Sequence, residues 1–406
     1  MASRMRRLSR RIVTIPRSPH RVLVALVEEL RRKGVDVYNY TAGQPGLPPS
    51  EKALRYFFEK FMEDPFGHSR YVATQGLWEL REEISRDLEK YSGVRVDPRN
   101  IVITSGGAEG LLLALGTVVE PGDEVLVFDP CYSLYWGLLR YLGAKIVTCR
   151  QDIERGFQPD PECIKEKVSD RTAAILLTRP DNPTSRIVSR EVVETIIDVA
   201  VKHKVWVVYD EAYKHIVYEG EHVWLLRYPE LQDLLIGVNS FSKDLAIPGF
   251  RLGYLYGPSD FIEQAVKMKG FLSITSPVPA QFLALYYLRE GFKEEYLRYA
   301  LEVYRRRRDA AYNAFRKYLP EAHVLKPTAS MYLFPDMRPY LERLGVDDVQ
   351  FTYDLAKEVG VAMLPGSAFG EGGKGYLRVT FVTQPEDRLV RGIELLAEYI
   401  ERRARR

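Results

Sequence analysis

Seven short apolar runs, separated by longer helix-compatible stretches, fill residues 100–257 and leave few folds open to this chain. The runs are Ile101–Thr104, Val125–Phe128, Lys145–Thr148, Ala173–Thr178, Val205–Tyr209, Leu234–Val238 and Leu252–Tyr256. Each is short, rich in β-branched residues and closed by a polar residue, glycine or proline, as strands buried on both faces are. Between them lie amphipathic stretches such as Arg190–His203, apolar at helical spacing. The alternation predicts an α/β fold, a largely parallel seven-stranded sheet covered by helices on both sides. In such sheets ligands sit beyond the carboxyl ends of the strands. The residues that follow each run are therefore where chemistry is expected.

Those positions hold unusual residues. Ser105-Gly106-Gly107-Ala108 follows the first run and Asp129-Pro130-Cys131-Tyr132 the second. Arg179-Pro180-Asp181-Asn182-Pro183-Thr184 follows the fourth, Asp210-Glu211-Ala212-Tyr213 the fifth and Ser240-Phe241-Ser242-Lys243 the sixth. One such end is a turn; five converging on a crevice predict a site. Lys243 is its most telling member. A free lysine is protonated at neutral pH, with a pKa of about 10.4. To attack an aldehyde it must lie near positive charge or away from water. Ser240, Ser242 and Arg251 flank it and are suited to binding a phosphate beside the amine.

The rest of the chain sets bounds. With 406 residues, 46% hydrophobic and 28% charged, it has material for two or three packed cores. The net charge is +3 and the basic residues gather at Met1–Arg11 and Glu401–Arg406. That distribution reads as solvated termini and speaks against a nucleic-acid face. No apolar run reaches the roughly 18 residues that span a bilayer, so no membrane partner is expected. The Arg- and Ser-rich start is similar to a short transit peptide but lacks a long amphipathic stretch, and reads as an ordinary extension. Cys131, Cys149 and Cys163 show no metal spacing. They predict a reducing, cytoplasmic setting, with buried thiols at Cys131 and Cys149. His203 and His215 have no ligand partners at metal spacing, and no metal site is expected. Beyond the sheet, Phe282 to Tyr318 is helical and charged, with Tyr304–Asp309 as a solvated face. Tyr332–Pro335 and Tyr376–Phe381 read as strands of a smaller α+β unit on which Pro16–Gly43 packs. The expected division is an N-terminal arm, part of the small domain, at 1–45, a large domain at 46–285 and a C-terminal small domain at 286–406.

The stretch Ser240-Phe241-Ser242-Lys243-Asp244-Leu245-Ala246-Ile247-Pro248-Gly249-Phe250-Arg251-Leu252-Gly253 resembles, position for position, the cofactor-lysine motif of the class I/II aminotransferases. Further stretches similar to that family span nearly the whole chain. They are Tyr40-Thr41-Ala42-Gly43-Gln44-Pro45, Tyr71 with Gly76 and Leu80-Arg81, Gly106-Gly107, Asn182-Pro183-Thr184, Asp210-Glu211-Ala212-Tyr213, Pro365-Gly366-Ser367-Ala368-Phe369-Gly370 and Leu377-Arg378. The resemblance implies fold type I, a homodimer with shared active sites, and pyridoxal 5'-phosphate held by Lys243 as a Schiff base. It implies amino transfer from an L-amino acid to a 2-oxo acid such as 2-oxoglutarate in a ping-pong sequence.

The resemblance also implies roles. Asp210 would pair with the protonated ring nitrogen and keep the ring an electron acceptor. Asn182 and Tyr213 would hydrogen-bond the ring's phenolate oxygen, and Tyr132 would stack on its face. The amides of Gly107 and Ala108 would bind the phosphate at a helix N-terminus. Ser240, Ser242 and Arg251 would complete that cup, with Tyr71 reaching in from the neighbouring subunit. Arg378 would clamp the substrate α-carboxylate through two parallel hydrogen bonds. Gly43 would let the backbone approach the substrate closely. Lys243, once released, would carry a proton.

Two departures from the family concern loops: Ser185 ends the run that usually closes with glycine, and Pro327-Thr328-Ala329-Ser330 replaces a usual glycine. Two others concern charge. Positions where dicarboxylate-specific relatives place a cation hold Ala108 and Phe271, which predicts a neutral or aromatic donor. A C–S β-lyase would use the same constellation. An effector-binding transcription regulator would need a DNA-binding module, and the residues before the first motif are too few for a winged helix.

Overall fold

Every apolar run becomes a strand in the computed structural model, which describes residues 8–16 and 19–405. Much of the basic, transit-peptide-like start, residues 1–7, lies outside that range, as do 17, 18 and 406. The first elements are a short helix α1 (Arg10–Val13), helix α2 (Pro19–Arg32) and strand β1 (Tyr38–Asn39). The central strands are β2 (Ile101–Thr104), β3 (Glu124–Asp129), β4 (Lys145–Arg150), β5 (Thr172–Thr178), β6 (Trp206–Asp210), β7 (Leu235–Ser240) and β8 (Gly253–Tyr256). They form one sheet in the order β2-β8-β7-β6-β5-β3-β4. Only β8 pairs antiparallel, so Gly253 at its start faces both Ser240 and Thr104 at the ends of β7 and β2.

Period-two alternation divides the sheet's side chains between two cores. Leu126, Phe128, Ile175, Leu177 and Val207 pack one way, with Ile196 and Leu283. Val125, Val127, Leu176 and Val208 pack the other way, with Leu111, Leu115 and Leu139. Each such aliphatic side chain is worth about 1.5–3 kcal/mol on burial. The helix Arg190–His203 begins where Ser189 Oγ accepts from the Val192 amide and ends at Lys204, whose φ is +54°. Serine is among the favoured residues at such an N-cap.

A smaller sheet orders β11 (Leu364–Pro365), β12 (Leu377–Thr380) and β9 (Tyr332–Leu333) antiparallel. Strand β1 pairs in parallel with β10 (Val361–Ala362), tying the early chain to the small domain. Helix α2 adds to this by burying Leu23, Leu26, Val27 and Leu30 against Phe334, Ala356 and Leu364. The expected boundary at 285/286 falls within the helix Val278–Arg289, which packs on Glu51–Glu63 and Trp78–Ser92. No helix among the described residues is long and apolar enough to cross a membrane.

Two expectations are corrected. Tyr304–Asp309 is a solvated face only in part: Arg305 and Arg306 are exposed, but Tyr304 and Arg308, four residues apart on the helix Phe292–Tyr318, both turn inward and are buried. Arg308 Nη1 bonds Glu219 Oε1 at 2.8 Å and the Pro327 carbonyl at 3.0 Å, so a charged run hides an anchoring arginine. Cys149 is not a thiol. It is buried on β4 but bonded to Cys163, on the helix Pro161–Lys167, and only Cys131 is free. An apolar neighbourhood buries a sulfur in either state, and the pairing depends on a helix docking beside β4. Closing a loop of that length (sequence separation 14) contributes roughly 3 kcal/mol. The inference of a reducing compartment rested on unpaired thiols and loses that support.

Candidate active site

Strand direction gathers the site. Strands β2, β5, β6 and β7 end at one edge of the sheet, and antiparallel β8 begins there. Arg251, just before β8, therefore returns to Ser240 and Gly106 although it follows no strand end. Gly106 has φ +84°, and a Cβ there would lie 2.5 Å from Arg251 Nη2. A Cβ on Gly107 would lie 3.4 Å from Ser240 Cβ. The helix Gly107–Val118 opens at this point, so its first turn sits beside the Arg251 guanidinium and the Ser240 side chain. Ser240 Oγ caps the short helix Phe241–Asp244 by accepting from the Ser242 amide at 3.2 Å. Such an arrangement is suited to an anion, as an anion cup.

Lys243, on that short helix, donates from Nζ to the Gly43 carbonyl and lies 5.8 Å from the centre of the Tyr213 ring. Burial first, then the charges of Arg378 and Arg251, bring its pKa down to about 8. Asp210 is buried at the end of β6. Its Oδ2 accepts from Tyr135 Oη at 2.9 Å and its Oδ1 from the Ala212 amide at 3.1 Å. Burial outweighs both bonds and lifts its pKa to about 6. Among the described residues no cation forms an ion pair with it. A buried carboxylate of this kind calls for a charged partner, and a protonated ring nitrogen is one.

The two domains meet across a chain of bonds. Asn182 Nδ2 donates to Tyr213 Oη at 3.4 Å, Tyr213 Oη bonds Tyr332 Oη at 2.7 Å, and Arg378 Nη1 donates to Asn182 Oδ1 at 3.3 Å. Burial pushes the Tyr213 phenol well up, so it stays a neutral hydrogen-bonding group. Arg378 Nη2 donates to the Thr41 carbonyl at 2.7 Å, whereas its Nε has no partner. The guanidinium lies 4.4 Å from the Tyr332 ring centre and 5.1 Å from that of Phe369. Gly43 fits because a Cβ there would come within 3.2 Å of Tyr332 Oη and 3.6 Å of Arg378 Nη1. Tyr132 precedes the helix Ser133–Leu142, edge-on to Tyr135, and its phenol is pushed up to about 12 by burial and then by Asp210.

Tyr71 alone stands apart from the other expected site residues, 80% exposed on the surface of the chain. Sequence reasoning missed Tyr135, which holds Asp210, and Tyr332, which links Tyr213 to Arg378. Tyr135 lies in the first turn of the helix that Tyr132 precedes, which was the available signal; Tyr332 had none beyond its strand.

A class I and II aminotransferase family model matches residues 35–393. The chain belongs to that family. The aminotransferase is similar to the probable aspartate/prephenate aminotransferase of Aquifex aeolicus, 32% identical over 97% of this chain and 98% of the relative. It also resembles the aspartate aminotransferase of Thermus thermophilus with maleate, at 30% identity and a TM-score of 0.90, covering 97% of this chain and 100% of that one. A third likeness is to the aromatic aminotransferase of Pyrococcus horikoshii, at 28% identity and a TM-score of 0.85, covering 93% and 99%. The family depends on pyridoxal phosphate, and the anion cup, the Lys243 amine and the unpaired Asp210 carboxylate all fit that group.

Both loop departures keep a glycine-like backbone in this aminotransferase: Ser185 has φ +57° and Ser330 φ +59°. Ser185 offsets its strain through a buried Oγ that accepts from the Tyr332 amide at 3.1 Å. Ser185→Ala keeps the strain and removes that acceptor, so a loss of about 1–3 kcal/mol in unfolding free energy is expected by denaturant titration. Ser185→Gly, which relieves the strain, should lose less.

Proposed function

We propose that the enzyme transfers the amino group of a neutral or aromatic L-amino acid to 2-oxoglutarate in two half-reactions. The observation that carries the reading is Arg378: a buried guanidinium with no carboxylate partner among the described residues, in a domain-joining network with Asn182 and beside Lys243 and Gly43. It suits the α-carboxylate of an amino acid, held through two parallel hydrogen bonds. Gly107, Ala108, Ser240, Ser242 and Arg251 would hold the cofactor phosphate, Asp210 its ring nitrogen, Asn182 and Tyr213 its ring oxygen, and Tyr132 its face. Bound pyridoxal phosphate supplies an electron sink for negative charge developing at the substrate Cα. Lys243 Nζ would take and return the substrate's Cα proton, a task its lowered pKa favours at neutral pH. Tyr135 holds the Asp210 carboxylate in place.

The donor class is read from charge. Ala108 offers none, Phe271 is an exposed ring at the end of the helix Ser259–Leu272, and the buried Lys269 is already bonded to Glu109, Ser273 and Ser276. Relatives named for aspartate and for aromatic substrates both resemble the chain, so the choice rests on these residues. Exposed Phe58, Met62, Phe66 and Tyr71 support a homodimer in which Tyr71 serves the neighbouring site. Steady-state kinetics over a donor panel test the reading: phenylalanine, tyrosine and leucine are expected to exceed aspartate in kcat/KM. A preference for aspartate above about tenfold, or 1.4 kcal/mol in transition-state binding, would overturn it.

A further inference from the structure

Lys214 belongs to no motif, yet the chain neighbours of four site residues gather around it. Glu211 follows Asp210, Lys214 itself follows Tyr213, Asp244 follows Lys243 and Asn239 precedes Ser240. Alternation along β7 sends Ser240 toward the anion cup and Asn239 to the opposite face. There Lys214 Nζ donates to Asn239 Oδ1 and, at 2.9 Å, to Tyr254 Oη on the neighbouring strand β8. Asn239 Nδ2 donates in turn to Glu211 Oε2 at 3.0 Å, as does Tyr256 Oη at 2.9 Å. Lys214 Nζ also lies 3.8 Å from Asp244 Oδ2. His215 Nε2 stands 3.9 Å from the same oxygen, but burial holds its imidazole below the ordinary pKa, so Lys214 supplies the cation. Glu211, Lys214, Asn239 and Asp244 are all buried. A side chain fixed by buried polar bonds fixes the backbone it shares with its neighbour, and that is how a supporting shell holds a site.

We propose that Lys214 is a positioning residue for amino transfer: from behind the site it ties the Lys243 helix to the turn that carries Asp210 and Tyr213, and so fixes the Lys243 amine relative to the cofactor ring. This rests on the roles given above to Asp210, Tyr213 and Lys243. An amine misplaced by about 1 Å loses about 10²-fold in rate. Arg378, which would clamp the donor, bonds Asn182 and Thr41 instead, so the effect belongs in kcat rather than in the donor KM.

The test compares holoenzymes carrying Lys214→Met, Lys214→Met together with Asp244→Asn, and Glu124→Gln. Glu124 is a buried carboxylate bonded to Lys145 and Arg171 at the start of β3, across the sheet from the site. The readouts are kcat and donor KM with the better of L-phenylalanine and L-aspartate, the visible circular dichroism of the bound cofactor, and the urea midpoint of unfolding. Lys214→Met is expected to lower kcat about 10- to 100-fold with KM within about threefold, to weaken the dichroism and to unfold at lower urea. The double variant no longer leaves a buried carboxylate unpaired and should regain stability, yet keep the losses in kcat and dichroism because the tie is still missing. It decides the matter alone if Lys214→Met does not fold. Glu124→Gln should lower the urea midpoint and leave kcat and dichroism as in wild type. The proposal is overturned if kcat and dichroism recover with stability in the double variant, or if Glu124→Gln reproduces their loss. Wild-type kcat and dichroism in both Lys214 variants overturn it alone, whereas a Lys243→Ala enzyme that turns over within a hundredfold of wild type overturns the site reading on which it stands.

Discussion

Lys243→Ala is expected to lower kcat for transamination by at least about 10⁴-fold, the upper end of what a positioned acid–base group contributes, because covalent capture is lost as well. The amine sits where it can serve both purposes: half-buried, donating to the Gly43 carbonyl, with its pKa near 8. About a tenth of such amines are neutral at pH 7, against well under a thousandth for a lysine at about 10.4. Lys243→Arg should not restore activity, since a guanidinium keeps its charge. Single-turnover assays of both variants measure the loss. In the cofactor-free protein, amine-selective labelling of Lys243 should reach half its maximal rate near pH 8, and that of exposed lysines above pH 10. Residual turnover within a hundredfold of wild type would show that the amine is not central.

Asp210→Asn is the second large effect, with kcat/KM expected to fall about 10²- to 10⁴-fold. Removing one member of a buried charge pair costs about 3–5 kcal/mol, and each 1.36 kcal/mol is a factor of ten. Asp210→Glu should recover part of the loss if the charge is what counts, and none if the Tyr135 bond alone counts. The carboxylate also leaves a mark on stability. Its folded pKa of about 6 lies above the unfolded value of about 3.9, so the folded state keeps a proton that the unfolded state releases between them. The cofactor-free protein is therefore expected to lose stability as pH rises from about 4 to about 6. Denaturant titrations across that range should show the contribution missing in Asp210→Asn.

Much of this enzyme can be read from local pattern. The seven strands, the Arg190–His203 helix and the polar residues at the strand ends all follow from side-chain periodicity and turn chemistry, which act over a few residues. The motif around Lys243 is continuous, and so it too is visible in the chain. Other features wait on elements that are distant in sequence. Arg251 reaches the anion cup only because β8 runs opposite to its neighbours. Asn182 meets Arg378, and Tyr213 meets Tyr332, only because the small domain docks on the large one. The Cys149–Cys163 bond and the inward turn of Arg308 likewise depend on how helices pack. Sequence by itself determined which segments are strands and helices and which residue types gather at the strand ends, because backbone preference and amphipathic period are local. Tertiary structure alone decided which side chains share a buried, low-dielectric space, and so which groups stay charged, because burial and pairing are set by contacts between remote segments.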